Sequence, residues 1–190
     1  MTTMAHVSSA KFQCWRTPGA LAAALVAEFA LLLDVAAEAT NAVCAWFLDE
    51  RADGLTYPWD RAVWCNPPYE DVRSWLDKAY MDVILLGSCP RAVFLVPAAV
   101  GVSWFTWACT WAEIHTFDER IRFELPPRDE LPEEFRDKLY TEDGKPKTSP
   151  GGGNALIIVE RGRPVGITAM RSAKTGEIVR RYGAAERIAA

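Results

Sequence analysis

Within its first half the chain reads Arg61-Ala62-Val63-Trp64-Cys65-Asn66-Pro67-Pro68-Tyr69. The first five of these residues are mainly apolar and predict a buried strand. Proline cannot extend a strand, and it keeps the residue before it out of the helical region, so the strand ends in a stiff loop. The loop holds an amide, Asn66, close to an aromatic ring, Tyr69. We expect it to bind a flat ring that bears an amine; the alternative is a proline turn beside a core or surface tyrosine.

The remaining apolar patterns alternate between strands and helices. Further strands are predicted at residues 31–35, 92–96, 113–117 and 154–159, and helices over 70–86, over 102–111 and after Thr17-Pro18. Thr17 suits an N-cap and Pro18 a first helical position. This alternation predicts an α/β protein with a mainly parallel sheet covered by helices on both faces. Ligands bind such sheets beyond the carboxyl ends of the strands, where Asp34 and Asn66 both lie.

Two segments between these elements have weaker patterns. Residues 36–47 carry mostly small side chains and predict a short helix or turn. Residues 125–153 contain five prolines and four glycines and predict a long irregular insert.

The composition favours one globular domain of 190 residues, half of them hydrophobic. No apolar run reaches the about 18 residues that a membrane-spanning helix needs, and residues 1–10 lack the pattern of a signal peptide. The five cysteines are scattered without a Cys-x-x-Cys pair, which disfavours disulfides and a zinc site. We therefore expect a protein of a reducing cytoplasm that uses no metal and contacts no membrane.

Charge is unevenly distributed along the chain. The net charge is −4, but residues 161–190 carry seven basic and two acidic side chains, a net of +5 that leaves −9 for residues 1–160. A basic segment on an acidic body could lie on the phosphates of a nucleic acid; its alternative is a solvated C-terminal hairpin or helix. The expected organisation is a catalytic domain over residues 1–160, with the insert at about 125–153, followed by a basic C-terminal extension over 161–190.

Ten short motifs follow one another along the chain in a recognisable order. They are Trp15-Arg16-Thr17-Pro18, Leu33-Asp34-Val35-Ala36-Ala37, Asn41-Ala42-Val43-Cys44, Asp53-Gly54-Leu55, Trp59, Trp64-Cys65-Asn66-Pro67-Pro68-Tyr69, Leu95-Val96-Pro97-Ala98, Trp104-Phe105, Ile121-Arg122-Phe123 and Asn154-Ala155-Leu156-Ile157-Ile158-Val159. In these motifs and their order the chain resembles, over roughly residues 12–160, the phage-type DNA N-6-adenine methyltransferase (Dam) family. The last two motifs look like the closing strands of the family.

This resemblance implies a Rossmann-like methyltransferase fold with S-adenosylmethionine as the methyl donor. It also implies that the acceptor is the exocyclic N6 amine of an adenine flipped out of the DNA helix. One feature departs from methyltransferases in general, many of which carry a Gly-rich loop after the first strand. Here that place is taken by Asp34-Val35-Ala36-Ala37, whose alanines permit close approach of a ligand but not glycine-only backbone angles.

The family pattern assigns catalysis to Asn66, Pro67, Pro68 and Tyr69. The Asn66 side-chain oxygen and the Pro67 carbonyl would accept the two hydrogens of the target amine, and Tyr69 would stack on the flipped adenine. Two acceptors stabilise the positive charge that develops on the nitrogen during methyl transfer, so no strong base is required. His6 and His115 are accordingly expected to be structural or exposed.

The predicted cofactor-binding residues are Thr17, Pro18, Asp34, Ala36, Asp53 and Asn66. Asp34 would contact the methionine ammonium or its water shell, since an unpaired carboxylate at the end of an apolar strand is costly; its alternative is a helix N-cap for residues 36–39. Thr17 and Pro18 would flank the methionine end or simply begin a helix. Asp49, Glu50 or Asp53 would bind a ribose hydroxyl or the adenine amine of the cofactor, and Asp53 is favoured.

The predicted DNA-binding residues are Tyr69, Arg122, Lys145, Lys147, Arg171, Arg180 and Arg181. Base readout would come from loops such as the insert, or from the basic tail. The tryptophans Trp104, Trp107 and Trp111 are interpreted as core residues rather than as part of a cofactor site.

Other functions remain open at this point. Asn-Pro-Pro-Tyr also occurs in methyltransferases that act on RNA bases and on protein glutamine, so the tetrapeptide alone does not separate these substrates. A non-catalytic nucleic-acid-binding module on the same fold is a further alternative, which the intact Asn66 and Tyr69 disfavour. The flanking motifs favour adenine in DNA.

Overall fold

The structure is a computed structural model that describes residues 15–131, 133–145 and 152–182. Its strands are β1 (Leu33–Asp34), β2 (Trp46–Phe47), β3 (Val63–Cys65), β4 (Ala92–Pro97), β5 (Glu113–Phe117), β6 (Asn154–Val159), β7 (Gly166–Arg171) and β8 (Ile178–Arg181). Its α-helices are α1 (Gly19–Phe29), α2 (Val72–Ala79), α3 (Ser103–Ala108) and α4 (Glu133–Leu139). A π-helical segment (Tyr80–Leu86) continues α2, and a short 3-10 helix spans Arg128–Glu130.

The strands of the described residues form one sheet in the order β2-β1-β3-β4-β6-β5-β7-β8. The half made of β2, β1, β3 and β4 is parallel, as expected. In the other half β6 runs antiparallel to both β4 and β5, β5 and β7 are parallel, and β8 is antiparallel to β7. The fold is therefore mixed α/β, and a mainly parallel, Rossmann-like sheet is not confirmed.

Helices cover both faces of this sheet, as predicted. Side chains alternate along β4, so that Phe94 and Val96 pack in the cluster beneath α2 and α3, whereas Val93 and Leu95 pack beneath α1. The apolar stripe of α1 is fully buried and consists of Leu21, Leu25 and Phe29. Each such side chain contributes about 1.5–3 kcal/mol by leaving water, which holds α1 on the sheet.

Of the two alternatives predicted for residues 36–47, a short helix does not form and a turn does, at residues 39–41. The segment runs as a loop into β2 because the Asp34 carboxylate accepts the backbone amides of Ala36 at 3.3 Å and of Val43 at 3.0 Å. A side chain that takes these amide hydrogens competes with the carbonyls that would receive them in a helix. The start of α1 also differs from expectation: Pro18 is its N-cap, and no side-chain hydrogen bond from Thr17 caps the helix.

The helix predicted over residues 70–86 is confirmed as α2 and its π-helical continuation. Asp71 begins it, since its carboxylate accepts the Ser74 amide at 3.4 Å and the Ser74 hydroxyl at 2.7 Å. The strand expected at 121–123 does not form. Ile121 is buried against the α1 side of the sheet, and only Glu124 makes an isolated bridge, to Arg16.

The insert is more ordered than its composition predicts. It contains the 3-10 helix and α4, and its Leu131, Leu139 and Tyr140 form a small apolar cluster against Trp15 and Leu125. The Tyr140 hydroxyl donates to the Pro126 carbonyl at 2.6 Å. Residues 132 and 146–151 of the insert lie outside the described residues.

The predicted C-terminal extension joins the sheet over its described part. β7 pairs with β5, and β8 is the edge strand beyond it. A hairpin was one of the two structural alternatives for this segment, and β7 with β8 forms it. Among the residues that the structure describes, no helix has the length and apolarity needed to cross a membrane.

Candidate active site

The Asn66-Pro67-Pro68-Tyr69 loop lies between the carboxyl end of β3 and the start of α2. Main-chain bonds fix both ends: β3 pairs with β1 and β4, and the Pro68 carbonyl accepts the Asp71 amide at 3.1 Å. Pro67 is buried, whereas 37% of Tyr69 is exposed. The loop therefore presents an aromatic ring to solvent from a rigid base.

Asn66 carries an unusual buried acceptor. Its side-chain oxygen Oδ1 is inaccessible to solvent and has no hydrogen-bond partner among the described residues. Buried polar atoms are nearly always paired, and leaving one unpaired costs about 1–3 kcal/mol. An acceptor kept in this state is suited to a donor that arrives from outside the chain.

Tyr69 meets a residue that the sequence patterns did not assign to the site. Burial raises the pKa of Tyr69, and a hydrogen bond with the Asn154 side chain acts to lower it. Asn154 begins β6 and stands opposite Pro97, the last residue of β4. One sequence signal points to Asn154: it is a polar residue at the start of a fully buried strand.

Asp34 ends β1 and is 2% exposed. Burial raises the pKa of this carboxyl to about 7, while hydrogen bonds from the Val43 and Ala36 amides act to lower it. Its main-chain carbonyl also accepts the Leu48 amide, at 2.8 Å. The alternative of a helix N-cap is wrong, because residues 36–39 form no helix; the side chain instead anchors the loop that includes the half-buried Ala36.

The Asp53-Gly54 turn packs against the residue that follows Asp34. A Cβ atom on Gly54 would lie 2.0 Å from the Val35 carbonyl oxygen, so only glycine fits there. The Gly54 carbonyl accepts the Trp59 indole N–H at 3.0 Å. Asp53 is exposed at a positive φ of 47°, with its carboxylate on the Leu55 amide at 3.1 Å. The turn thus brings an exposed acid to the same end of β1 as Asp34.

The other two acids predicted to bind the cofactor ribose, Asp49 and Glu50, differ in whether the carboxylate is engaged within the chain. The Asp49 carboxylate already accepts the amides of Arg51 at 3.1 Å and Ala52 at 2.9 Å, which fixes a turn. Glu50 is exposed beside it.

A surface groove of about 550 Å³ runs between the start of α1 and the loop around residues 40–43. Thr17 and Val43 line it, and the Val43 amide is the one that Asp34 holds. Pro18, the N-cap of α1, is half-buried beside it. The structure thus brings Thr17 close to the loop anchored by Asp34, but Asp34, Asp53 and Asn66 do not line the same groove.

The carboxyl ends of β1, β3 and β4 and the start of β6 lie at one edge of the sheet, here called the carboxyl edge. The register places Asp34 beside Trp64 and Pro97 opposite Asn154, and the Ala98 amide donates to the Gly153 carbonyl at 2.9 Å. Asp34, Asn66 and Tyr69 are therefore contributed to one edge by neighbouring strands, where ligands bind in α/β sheets.

The prediction that Arg171 binds DNA is wrong. Its side chain is fully buried beneath α1 and makes two bonds of 2.6 Å to the Glu28 carboxylate. Its Nε donates to His115 Nδ1 at 2.7 Å, and His115 Nε2 lies 3.0 Å from Glu113. An arginine committed to these partners cannot reach a phosphate. The same network confirms that His115 is structural, and burial lowers the pKa of His115.

The other basic residues predicted to bind DNA differ in solvent exposure and in ion pairing. Arg122, Arg180 and Arg181 are exposed. Lys145 is exposed too, but its Nζ lies 2.7 Å from the Asp143 carboxylate. Lys147 lies outside the described residues.

The tryptophan and metal predictions concern the surroundings of the site. Trp104, Trp107 and Trp111 are half-buried and pack on the apolar cluster beneath α2 and α3, which confirms their assignment to the core. Within residues 15–131, 133–145 and 152–182, the structure contains no cluster of three or more His, Cys, Asp or Glu side chains able to hold a metal ion.

Comparison with known families identifies the chain. The model of the family described as DNA N-6-adenine-methyltransferase (Dam) matches residues 4–174, which extends the resemblance past residue 160 and through β7. A comparison with curated proteins found no match. Because the family match covers most of the chain, this protein belongs to the DNA N-6-adenine-methyltransferase (Dam) family.

Proposed function

We propose that this protein transfers a methyl group from S-adenosylmethionine to the exocyclic N6 amine of adenine in DNA. The observation that carries the proposal is the Asn66 side-chain oxygen, which is buried without a partner among the described residues at the end of β3. Membership of a DNA adenine methyltransferase family supports DNA as the substrate. The site supplies the acceptor that an aryl amine requires.

Asn66 acts on the amine rather than on a proton. The lone pair of an aryl amine is delocalised into its ring, so the nitrogen is a weak nucleophile. The Asn66 oxygen and the Pro67 carbonyl accept the two amine hydrogens and draw the nitrogen toward a tetrahedral geometry. They also stabilise the positive charge that grows on the nitrogen in the transition state. The fixed prolines hold both acceptors in place before the base arrives.

Tyr69 supplies the face on which the base rests. Extruding a base from the duplex costs a few kcal/mol, and stacking on an aromatic ring returns about 1–3 kcal/mol. The exposed fraction of Tyr69, 37%, leaves ring surface for this contact.

The carboxyl edge fits the polar end of S-adenosylmethionine, which supplies an electrophilic methyl group when bound. Asp34 accepts two amide hydrogens, and a carboxylate offers about four acceptor sites, so capacity remains for an ammonium group. Asp53 is exposed at the same end of β1 and suits a hydroxyl. The loop that Asp34 anchors begins with Ala36. Thr17 lines a groove with residues 40–43 of that loop, and Pro18 follows it at the start of α1.

We propose that only some of the basic residues in the C-terminal segment contact DNA. Arg161 donates to main-chain carbonyls of the π-helical segment, Arg163 is bound to Glu113 and Glu160, and Lys174 is bound to Glu119. Arg180 and Arg181 on the edge strand β8 are exposed, as is Arg122. Phosphate contacts are therefore assigned to these arginines, with Lys145 and Lys147 as further candidates on the insert.

The cytoplasm of a bacterium that carries phage DNA is the compartment we propose. Its support is the state of the thiols: Cys44, Cys65 and Cys89 are buried and free. Burial raises the pKa of Cys44 and Cys89 to about 12, so these thiols stay protonated and unreactive.

A methyl-transfer assay tests the proposed function. The protein is incubated with radiolabelled S-adenosylmethionine and, in parallel, unmethylated plasmid DNA, total RNA or a protein extract. Label in DNA supports the proposal, whereas label in RNA or protein would assign one of the other substrates. Absence of label from all three would favour a non-catalytic binding module.

A further inference from the structure

The loop that follows β4 carries the most exposed large apolar side chain of the described residues. Val100 is 80% exposed, and the loop around it reads Ala98-Ala99-Val100-Gly101-Val102, without a charged side chain. Single apolar side chains at a surface are common and by themselves indicate nothing. Here a whole turn is apolar in a chain whose family methylates DNA, a polyanion. A turn without cations is better suited to contact bases than phosphates.

The register of the sheet places this loop beside the Asn66 loop. β3 and β4 are parallel neighbours, with Cys65 aligned with Phe94. β3 ends at Cys65, whereas β4 continues for three more residues, to Pro97. At about 3.3 Å of rise per residue, the end of β4 lies about 10 Å beyond the end of β3. Residues 98–102 therefore lie at the carboxyl edge, next to the Asn66 loop, and begin further out from the sheet.

Main-chain hydrogen bonds fix the shape of the loop. The Ala98 amide donates to the Gly153 carbonyl at 2.9 Å, and the Val100 amide donates to the Ala98 carbonyl at 3.0 Å. The Val102 amide donates to the Ala99 carbonyl at 3.0 Å. Because the backbone is bonded on both sides of Val100, the exposed position of its side chain is set by the fold.

A fixed apolar tip is useful beside a site that takes a base out of the duplex. When an adenine is flipped, its neighbours lose a stacking partner and a gap remains in the helix. Proteins that distort DNA insert apolar side chains between base steps, and an inserted side chain fills such a gap. The inserted side chain also leaves water, which favours the open duplex.

We propose that Val100 is a wedge, an apolar side chain that enters the DNA duplex at the place vacated by the flipped adenine. This rests on the proposed function, because it requires that the adenine leave the duplex to reach Asn66. Val100 acts on the conformation of the DNA, whereas Asn66 acts on the amine. The loss of Val100 should therefore be compensated by a base that is already easy to extrude.

Methylation of a matched and a weakened base pair tests the wedge. The adenines that the unmodified protein methylates in plasmid DNA locate the target site, and two duplex oligonucleotides are built on that site. One has thymine opposite the target adenine, and the other has an abasic position there, which makes the adenine easier to extrude.

The proposal predicts a defect that depends on the base pair. Val100→Ser should lower kcat/KM about tenfold on the matched duplex, an effect of the order expected when one valine side chain stays in water. On the abasic duplex the same variant should lie within about twofold of the unmodified protein, because extrusion there needs less help. Unimpaired kcat/KM on the matched duplex, or an equal loss on both duplexes, would overturn the proposal.

Two further variants separate the wedge from general effects of an exposed valine. Val165→Ser is the matched control: Val165 is 58% exposed and precedes β7, which runs in the same direction as β4, so its start lies at the end of the sheet away from the carboxyl edge. This variant should keep kcat/KM on both duplexes. Val100→Leu keeps an apolar tip and should stay within about twofold on the matched duplex. A loss in Val100→Leu as large as in Val100→Ser would overturn the proposal.

Failure of the wedge and failure of the proposed function give different results. If the unmodified protein methylates no DNA, the proposed function is refuted and the wedge with it. If the unmodified protein methylates DNA and Val100→Ser methylates the matched duplex equally well, the proposed function stands and only the wedge is refuted.

Discussion

Replacing Asn66 with alanine should separate activity from stability. Most truncations of partly buried side chains lower the free energy of unfolding. Here the side chain removed has an oxygen that is buried without a partner among the described residues. The folded protein therefore carries a desolvation penalty at this atom, and Asn66→Ala relieves it.

The expected magnitudes follow from the two roles of the oxygen. Loss of one fixed group that stabilises transition-state charge lowers kcat by about 100- to 1,000-fold, or about 2.7–4 kcal/mol. Relief of an unpaired buried acceptor returns about 1–3 kcal/mol, offset in part by lost packing. In a chain of 190 residues, 1 kcal/mol shifts Tm by roughly 2–4 °C. The Tm of Asn66→Ala should therefore be unchanged or raised by a few degrees.

The assay pairs methylation kinetics with thermal unfolding. Thr168→Val is the control, because its hydroxyl is a paired donor, 2.6 Å from Glu113; its Tm should fall while its kcat stays at the level of the unmodified protein. Should Asn66→Ala keep more than a tenth of kcat, or lose as much Tm as the control, the catalytic role of the buried oxygen would be refuted.

Three further predictions concern the cofactor, the fold and DNA. Burial raises the pKa of Asp34 to about 7, so between about pH 4 and pH 7 the folded protein holds a proton that the unfolded chain has released. The free energy of unfolding of the unmodified protein should therefore fall as pH rises through this range. The same fall should not occur in Asp34→Asn. Calorimetry should show that S-adenosylmethionine binding weakens below about pH 7 and that Asp34→Asn binds the cofactor weakly at every pH, while its affinity for DNA is unchanged. Equal cofactor affinity in Asp34→Asn and the unmodified protein would mean that Asp34 only anchors its loop. Gly54→Ala should lower stability by about 1–3 kcal/mol in chemical denaturation, because its Cβ meets the Val35 carbonyl at 2.0 Å, and an unchanged midpoint would contradict that packing. Arg180→Ser with Arg181→Ser should reduce the slope of log Kd against log salt by up to about 2, and an unaltered slope would remove β8 from the DNA surface.

The pattern of residues 61–69 predicted its local structure well. An apolar strand that meets two prolines has one stable outcome, and β3 ends at Cys65 as expected. The same holds for α2, where Asp71 supplies a cap and Trp75, Leu76 and Ala79 supply an apolar face. In both cases the local signals and the burial pattern agree, so sequence reasoning was sufficient.

Longer-range contacts were not predictable in this way. Residues 36–47 have small side chains that permit a helix, but the Asp34 carboxylate takes two of their amides. Arg171 has the sequence context of a surface arginine, yet Glu28, 143 positions away, pairs with it beneath α1. The place of Asn154 at the carboxyl edge likewise depends on β6 inserting beside β4, an antiparallel pairing that no local pattern specifies.

For the insert, the sequence pattern predicted less ordered structure than the chain forms. Its prolines and glycines predicted an irregular loop, but Leu131, Leu139 and Tyr140 gather on Trp15 and Leu125. Three apolar side chains are too few to give a clear periodicity, and their partners come from outside the segment. A small cluster of this kind is visible only once the chain has folded.

Identification of the methylated product by nucleoside mass spectrometry tests the central claim most directly. DNA is incubated with the unmodified protein and S-adenosylmethionine, digested to nucleosides and compared with DNA treated with Asn66→Ala. The account predicts N6-methyladenine as the main new nucleoside, and its near absence with Asn66→Ala. A methylated cytosine as the main product, or the same yield of N6-methyladenine from Asn66→Ala, would contradict it.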